Sequence, residues 1–197
     1  EAWYDNNVLN VIEMVSMQML TESETDPVLK EVISSLDLAV IGEKGILQAA
    51  GVDTMQRIRE TEENDFSDEF LKRVERNRKS VFVIGETQEA VDELIQELSE
   101  EYPKLVLAGA AATENCVGDL EGVINELNAA TPAVIISIIP SPKQEHFLVE
   151  HRDKINANLW YGIGGFEVHR KRSKIKGFFF NLIQRIRLKN SIEKYES

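Results

Sequence analysis

"SVFVIGETQEAVDELIQELSEEYPKLVLAG", Ser80–Gly109, is the stretch on which the fold turns. Ser80–Gly85 is an unbroken apolar run closed by glycine, the pattern of a strand buried on both faces of a parallel sheet. Thr87 is placed to cap a helix running through Glu101, in which Ala90, Val91, Leu94, Ile95 and Leu98 recur at helical spacing. "KLVLAGA", Lys104–Ala110, is a second strand. Strand, helix and strand in direct succession describe a crossover between parallel strands.

The alternation continues on both sides. Downstream, Val117–Asn128 reads as a helix and "AVIISII", Ala133–Ile139, as a strand. Ser141–Ile155 follows as a helix with Pro142 at its start, then "NLWYGIGG", Asn158–Gly165, as a strand and Gly177–Asn190 as a last helix. Upstream, Val8–Leu20 is rich in Met, Val and Ile and is expected to be an amphipathic helix. Asp26 and Pro27 open another, with Val28, Val32, Ile33 and Leu36 on its apolar face. "LDLAVI", Leu36–Ile41, is a short strand, Gly45–Ala50 starts a helix, Thr61–Asp68 reads as an acidic loop or helix entry, and Phe70–Arg76 is helical. The expected fold is α/β: a Rossmann-like, mostly parallel sheet flanked by helices over residues 1–168, with a basic helical appendage over 169–197.

Composition narrows the function. The 197 residues suit one α/β domain with an appendage, and an apolar share of 43% supports a core. No apolar run approaches the ~20 residues of a membrane span. A single cysteine, Cys116, excludes a disulfide within the chain and suits a reducing compartment. No secretory pattern opens the sequence, and its abrupt start at Glu1 is compatible with a trimmed N-terminus. The net charge of −12 argues against nucleic acid as the main partner. The charge is uneven: Val168–Ile192 holds no acidic residue and carries Arg170, Lys171, Arg172, Lys174, Lys176, Arg185, Arg187 and Lys189.

In open parallel sheets, ligands bind at the carboxyl ends of the strands. Here those ends are Gly42–Gly45, Gly85–Thr87, Gly109–Asn115, Pro140–Glu145 and Gly162–Glu167. Most precede a helix N-terminus, which favours phosphate, although glycine also simply closes tight turns. In Pro142-Lys143-Gln144-Glu145, Lys143 could meet a phosphate and Gln144 a uracil or a sugar hydroxyl. The same residues also suit ordinary helix-start chemistry. His146, His151 and His169 match no zinc spacing, and no Ser-His-Asp arrangement can be argued, so neither a metal nor a cofactor is expected.

"DLAVIGEKGILQAA", "SVFVIGETQEAVDELIQELSEEYPKLVLAG", "PSPKQEHFLVEHRDKI" and "WYGIGGFEV", in this order, resemble the WecG/TagA/CpsF glycosyltransferases. The resemblance implies transfer of a sugar, N-acetylmannosamine in TagA-type members, from a UDP donor to an undecaprenyl-diphosphate-linked acceptor in cell-surface polymer synthesis. It implies donor contacts from Lys143, Gln144 and Glu145, with Gly85, Gly164, Gly165 and Arg57 in the substrate site, and it allows a homo-oligomer. There are departures. The family's Asp-Gly-x-Gly turn, whose Asp is taken as the general base, meets "DLAVIGEKG" with Gly42 at the Asp position, leaving Glu43 as the neighbouring candidate base. The family's His-Gly-Tyr-Phe-like stretch is Ala111–Asn115 here, Ile139-Pro140-Ser141 replaces the usual Gly before Pro-Lys-Gln-Glu, and the sequence after Phe166-Glu167 does not match.

The basic tail combines its charges with Phe179, Leu182, Ile183 and Ile186 on one helical stripe. That is the pattern of an interfacial helix on an anionic membrane, and equally of a helix packed on the sheet. The expected function is a UDP-sugar-dependent hexosyltransferase, cytoplasmic and peripheral at the inner face of the cell membrane. The alternative is a catalytically impaired relative that binds nucleotide-sugar or scaffolds the pathway. A third reading is an empty-clefted domain acting through protein contacts.

Overall fold

The computed structural model describes residue 3, residues 8–116 and residues 120–164. The expected appendage, the Gly177–Asn190 helix, His169 and Gly165 lie outside them. Six strands run parallel in the order β2-β1-β6-β5-β3-β4. They are β1 (Asn10–Val15), β2 (Leu38–Ile41), β3 (Ser80–Gly85), β4 (Val106–Ala112), β5 (Val134–Ser137) and β6 (Leu159–Gly162). Between them come α1 (Met17–Glu22), α2 (Pro27–Ser35), α3 (Lys44–Ala49), α4 (Met55–Glu63), α5 (Asp65–Arg76), α6 (Gln88–Glu101), α7 (Glu121–Ala130) and α8 (Lys143–His151). The Rossmann-like expectation holds.

One reading is corrected. Val8–Leu20 is not one helix: Asn10–Val15 is an inner strand, buried at every position, and only Met17–Glu22 is helical. An apolar run buried on both faces lacks strand alternation, so periodicity alone does not separate it from a buried helix. Ser16 makes the break, its hydroxyl accepting the Met19 amide at 3.1 Å. Of the two alternatives for Thr61–Asp68, the helix entry is the one found: α4 and α5 meet at Asn64, whose left-handed backbone (φ 58°) turns one helix directly into the next.

Each face of the sheet has its own core. Ile12, Met14, Val81, Val83 and Tyr161 pack with Leu71 and Val74 of α5 and Val91, Leu94 and Leu98 of α6. Val11, Phe82, Ile84, Ile135 and Trp160 pack with Val123, Ile124 and Leu127 of α7 and Phe147 and Leu148 of α8. The helix leaving β3 therefore covers one face and the helix leaving β5 the other. β3 and β5 are neighbours, and their connections lead in opposite directions across the sheet. In a sheet of this kind such a reversal marks the crevice that takes a ligand, here between Gly85-Glu86-Thr87 and Ile138–Lys143.

Candidate functional site

Lys143 and Glu86 face each other across this crevice. Lys143 is the first residue of α8, its side chain is exposed, and its Nζ donates to the Glu86 carboxylate. The two flanking helix starts differ. At α6, Thr87 Oγ1 accepts the Ala90 amide at 3.2 Å and Glu114 Oε1 accepts the Gln88 amide at 2.6 Å. Asn115 Nδ2 holds the Gln88 side chain at 2.8 Å, and the Glu114 amide donates to the Glu86 carbonyl at 3.0 Å. The protein's own carboxylate thus sits where a phosphate would accept from α6. At α8 the residue before the helix is Pro142, no side chain caps the first turn, and Lys143 supplies a cation. The Gln144 amide donates to the Pro140 carbonyl at 3.2 Å, so what α8 offers an anion here is chiefly the Lys143 cation.

Gln144 and Glu145 point inward. Gln144 is 3% exposed and Glu145 0%. The Gln144 amide lies over Gly162 of β6: a Cβ at Gly162 would stand 2.4 Å from Gln144 Nε2 and 2.8 Å from its Cδ and Oε1. The same Nε2 donates to Glu13 Oε1 at 3.2 Å. Glu13, wholly buried, is level with Ala39 of β2 and Gly162 of β6, and Gly162 is level with Ser137 of β5. Burial, reinforced by the charge of Glu145 and only partly offset by the Gln144 hydrogen bond, pushes the Glu13 carboxyl up to about 9. Burial also raises Glu145. His146, exposed on the next position, bonds Asp26 Oδ2 at 3.0 Å, and Asp26 Oδ1 caps α2 by accepting the Val28 and Leu29 amides. The His146 bond, more than the backbone amides, holds the Asp26 carboxyl below its usual range.

The other expected site residues are dispersed. Gly85 is buried, and a Cβ there would meet Val91 Cγ2 at 2.7 Å and Ile138 Cγ1 at 3.0 Å, so its small size lets α6 approach β3. Gly164 turns the chain after β6 in the left-handed region (φ 53°). Glu43, half-buried, precedes α3 at the end of the edge strand β2 without capping it. β2 lies three strands from β5, about 14 Å at ~4.8 Å per strand, so the structure does not bring Glu43 to Lys143. Arg57 lines a cavity of about 580 Å³ with Val40, Ile41, Leu47, Phe66 and Glu60. Sequence reasoning missed Glu13. A glutamate interrupting an apolar strand level with a glycine of its neighbour was the available signal, and reading β1 as a helix concealed it.

Comparison with known proteins bears on this site. A family model described as "Glycosyl transferase WecG/TagA/CpsF family" matches residues 1–169. The N-acetylglucosaminyldiphosphoundecaprenol N-acetyl-beta-D-mannosaminyltransferase of Bacillus spizizenii is 24% identical over 183 residues, 91% of this chain and 69% of that one. The protein of the same name from Staphylococcus aureus is 28% identical over 104 residues, 51% of this chain and 39% of the relative.

Gly162→Ala separates the packing account from a loose Gln144. We expect a loss of about 1–3 kcal/mol in denaturant unfolding, the usual cost of overpacking, because the buried amide has no free space to move into. An unchanged midpoint would show that Gln144 is not held as described.

Proposed function

The chain belongs to the WecG/TagA/CpsF family of glycosyl transferases, and on that premise we propose that it takes a UDP-sugar in the β3–β5 crevice and transfers the sugar to a lipid-linked acceptor in cell-surface polymer synthesis. The observation that carries the reading is Lys143 at the uncapped start of α8, facing a crevice at the strand ends. Lys143 leaves Glu86 for the donor's diphosphate and balances charge as UDP departs, a use of a positioned cation that counts most where charge develops. The relatives' printed name supports N-acetylmannosamine as the sugar and undecaprenyl-diphosphate-linked N-acetylglucosamine as the acceptor.

Transfer requires the acceptor hydroxyl to attack the anomeric carbon while the bond to UDP breaks and a base takes the hydroxyl proton. Glu43 is the carboxylate proposed for that role, and a positioned base is worth ~10²–10⁴-fold. A second reading follows from its placement. Gly42, at the base position in the resemblance, has no side chain, and Glu43 stands on an edge strand away from Lys143. On that reading the crevice binds nucleotide-sugar without efficient transfer.

Release of UDP from UDP-N-acetylmannosamine, with an undecaprenyl-diphosphate-linked N-acetylglucosamine as acceptor, tests the first reading. Acceptor-dependent release above background is expected, falling by ~10²–10⁴ in Glu43→Gln. Undiminished release in the variant removes Glu43 from the role, and no release from either protein favours the second reading.

Among the described residues no helix is long and apolar enough to cross a membrane. We propose that the basic segment over 169–197 brings the protein to the cytoplasmic face of the membrane that holds the acceptor, which its cationic, aromatic composition supports. Cosedimentation with vesicles containing anionic phospholipid is expected, weakening with salt and lost on deleting residues 177–197. Equal binding to zwitterionic vesicles would contradict it.

A further inference from the structure

Glu13, Gln144 and Glu145 meet in the interior between the first turn of α8 and the ends of β1 and β6. Glu13 Oε2, Gln144 Oε1 and both carboxyl oxygens of Glu145 are buried there without a well-formed hydrogen bond to any of the described residues. Glu13 Oε2 and Gln144 Oε1 are both acceptors if Glu13 is ionised, and Gln144 Nε2 is already spent on Glu13 Oε1, whereas Glu145 has the buried Ser141 hydroxyl close enough to draw its carboxyl down. Buried polar atoms are almost always satisfied, and buried charges are paired.

Among the described residues, none supplies a counter-charge to Glu13. The lateral neighbours of Glu13 are Ala39 and Gly162. On α8, Lys143 is engaged by Glu86 and His146 by Asp26 from the start of α2, both on the solvent side. His146 draws Glu145 down, but less strongly than burial raises it. From α1 the nearest carboxylate, Glu22, accepts the Gln18 amide at 2.8 Å and adds no cation.

We propose that Glu13 is a positioning residue that works as a neutral carboxylic acid: its proton supplies the donor that Gln144 Oε1 lacks, and so holds Gln144 and the first turn of α8 on the sheet. The burial that raises the carboxyl to about 9 is consistent with a proton retained at neutral pH. Below the ordinary value of 4.5 both folded and unfolded chains carry the proton. Between 4.5 and about 9 only the folded chain keeps it, so stability falls as pH rises through that window and levels off above it. Ionisation places a second negative charge beside Glu145 and drives the α8 start, with Lys143, away from the crevice. The consequence for ligand binding rests on the donor site proposed above; the proton does not.

The test is thermal unfolding of the full chain from pH 5.5 to 9, for the wild type and for Glu13→Gln, which keeps the shape and a donor without an ionisable proton. The wild type is expected to lose several degrees of midpoint across the range, with the variant showing a much flatter profile and a higher midpoint at the alkaline end. Hydrogen exchange of the amides of residues 143–148, corrected for intrinsic rate, is expected to accelerate with pH in the wild type only. Parallel pH profiles in the two proteins overturn the proposal. So does a wild-type midpoint raised at pH 8 by magnesium, manganese or calcium but unmoved in the variant, which would put a cation where we place the proton. Should the variant fail to fold, the protonated-carboxyl stretch in the infrared spectrum of the wild type decides: present at pH 7 and lost by pH 10 it supports the proposal, and absent at pH 7 it overturns it. A pH-dependent midpoint without UDP binding at any pH leaves this inference standing and removes the donor reading.

Discussion

A carboxyl group with no exposure to water, in an inner strand of a parallel sheet, is the constraint around which the strand ends are arranged. Ionised and unpaired, Glu13 would cost several kcal/mol to bury. The fold meets that cost locally. Gly162 on the neighbouring strand leaves room for one side chain above the sheet, Gln144 fills it, and the Gln144 amide reaches Glu13. Gln144 is the second residue of α8, so seating it fixes where the helix begins and which way Lys143 points. The crevice cation is thus positioned from beneath, by a contact that never meets solvent.

The opposite wall is held by different means. Glu86 accepts backbone and hydroxyl hydrogen bonds from Glu114 and Thr113, and the Glu114 carboxylate in turn caps the Gln88 amide. This network ties the turn after β3 to the turn after β4 and satisfies the start of α6 from within. On the proposed reading, a nucleotide here would meet one helix start capped by side chains and one without a side-chain cap, with Lys143 shared between them. That asymmetry is why the proposed reading puts the diphosphate on the α8 side. The carboxylate nearest in kind to a base, Glu43, stands at the far edge of the same row of strand ends.

Much of this was legible in the sequence because it depends on local rules. The Ser80–Gly85 strand, the Thr87 cap and the helix to Glu101 fall at their expected places, since an apolar run, a capping hydroxyl and a helical repeat need no distant partner. Asp26 caps α2 with Pro27 at its first position, also as expected. What was not legible depends on partners remote in sequence. Asn10–Val15 contains Glu13, and a polar residue in an apolar run suggests the wet side of a helix. Only Gly162, Gln144 and Glu145, about 130 residues or more away, make it a buried strand position. Lys143 and Gln144 were both read as ligand contacts, yet the structure turns the first outward and the second into the core. Adjacent residues on a helix start point in different directions, and only the neighbouring strands decide which is which.

The most direct test is calorimetric titration of UDP into the wild type and into Lys143→Ala. Saturable binding that weakens about 10–100-fold in the variant, the worth of a charge-assisted hydrogen bond, is the outcome expected of a diphosphate held at the start of α8. No heat at millimolar UDP, or affinity indifferent to Lys143, would contradict the claim that this crevice is the donor site.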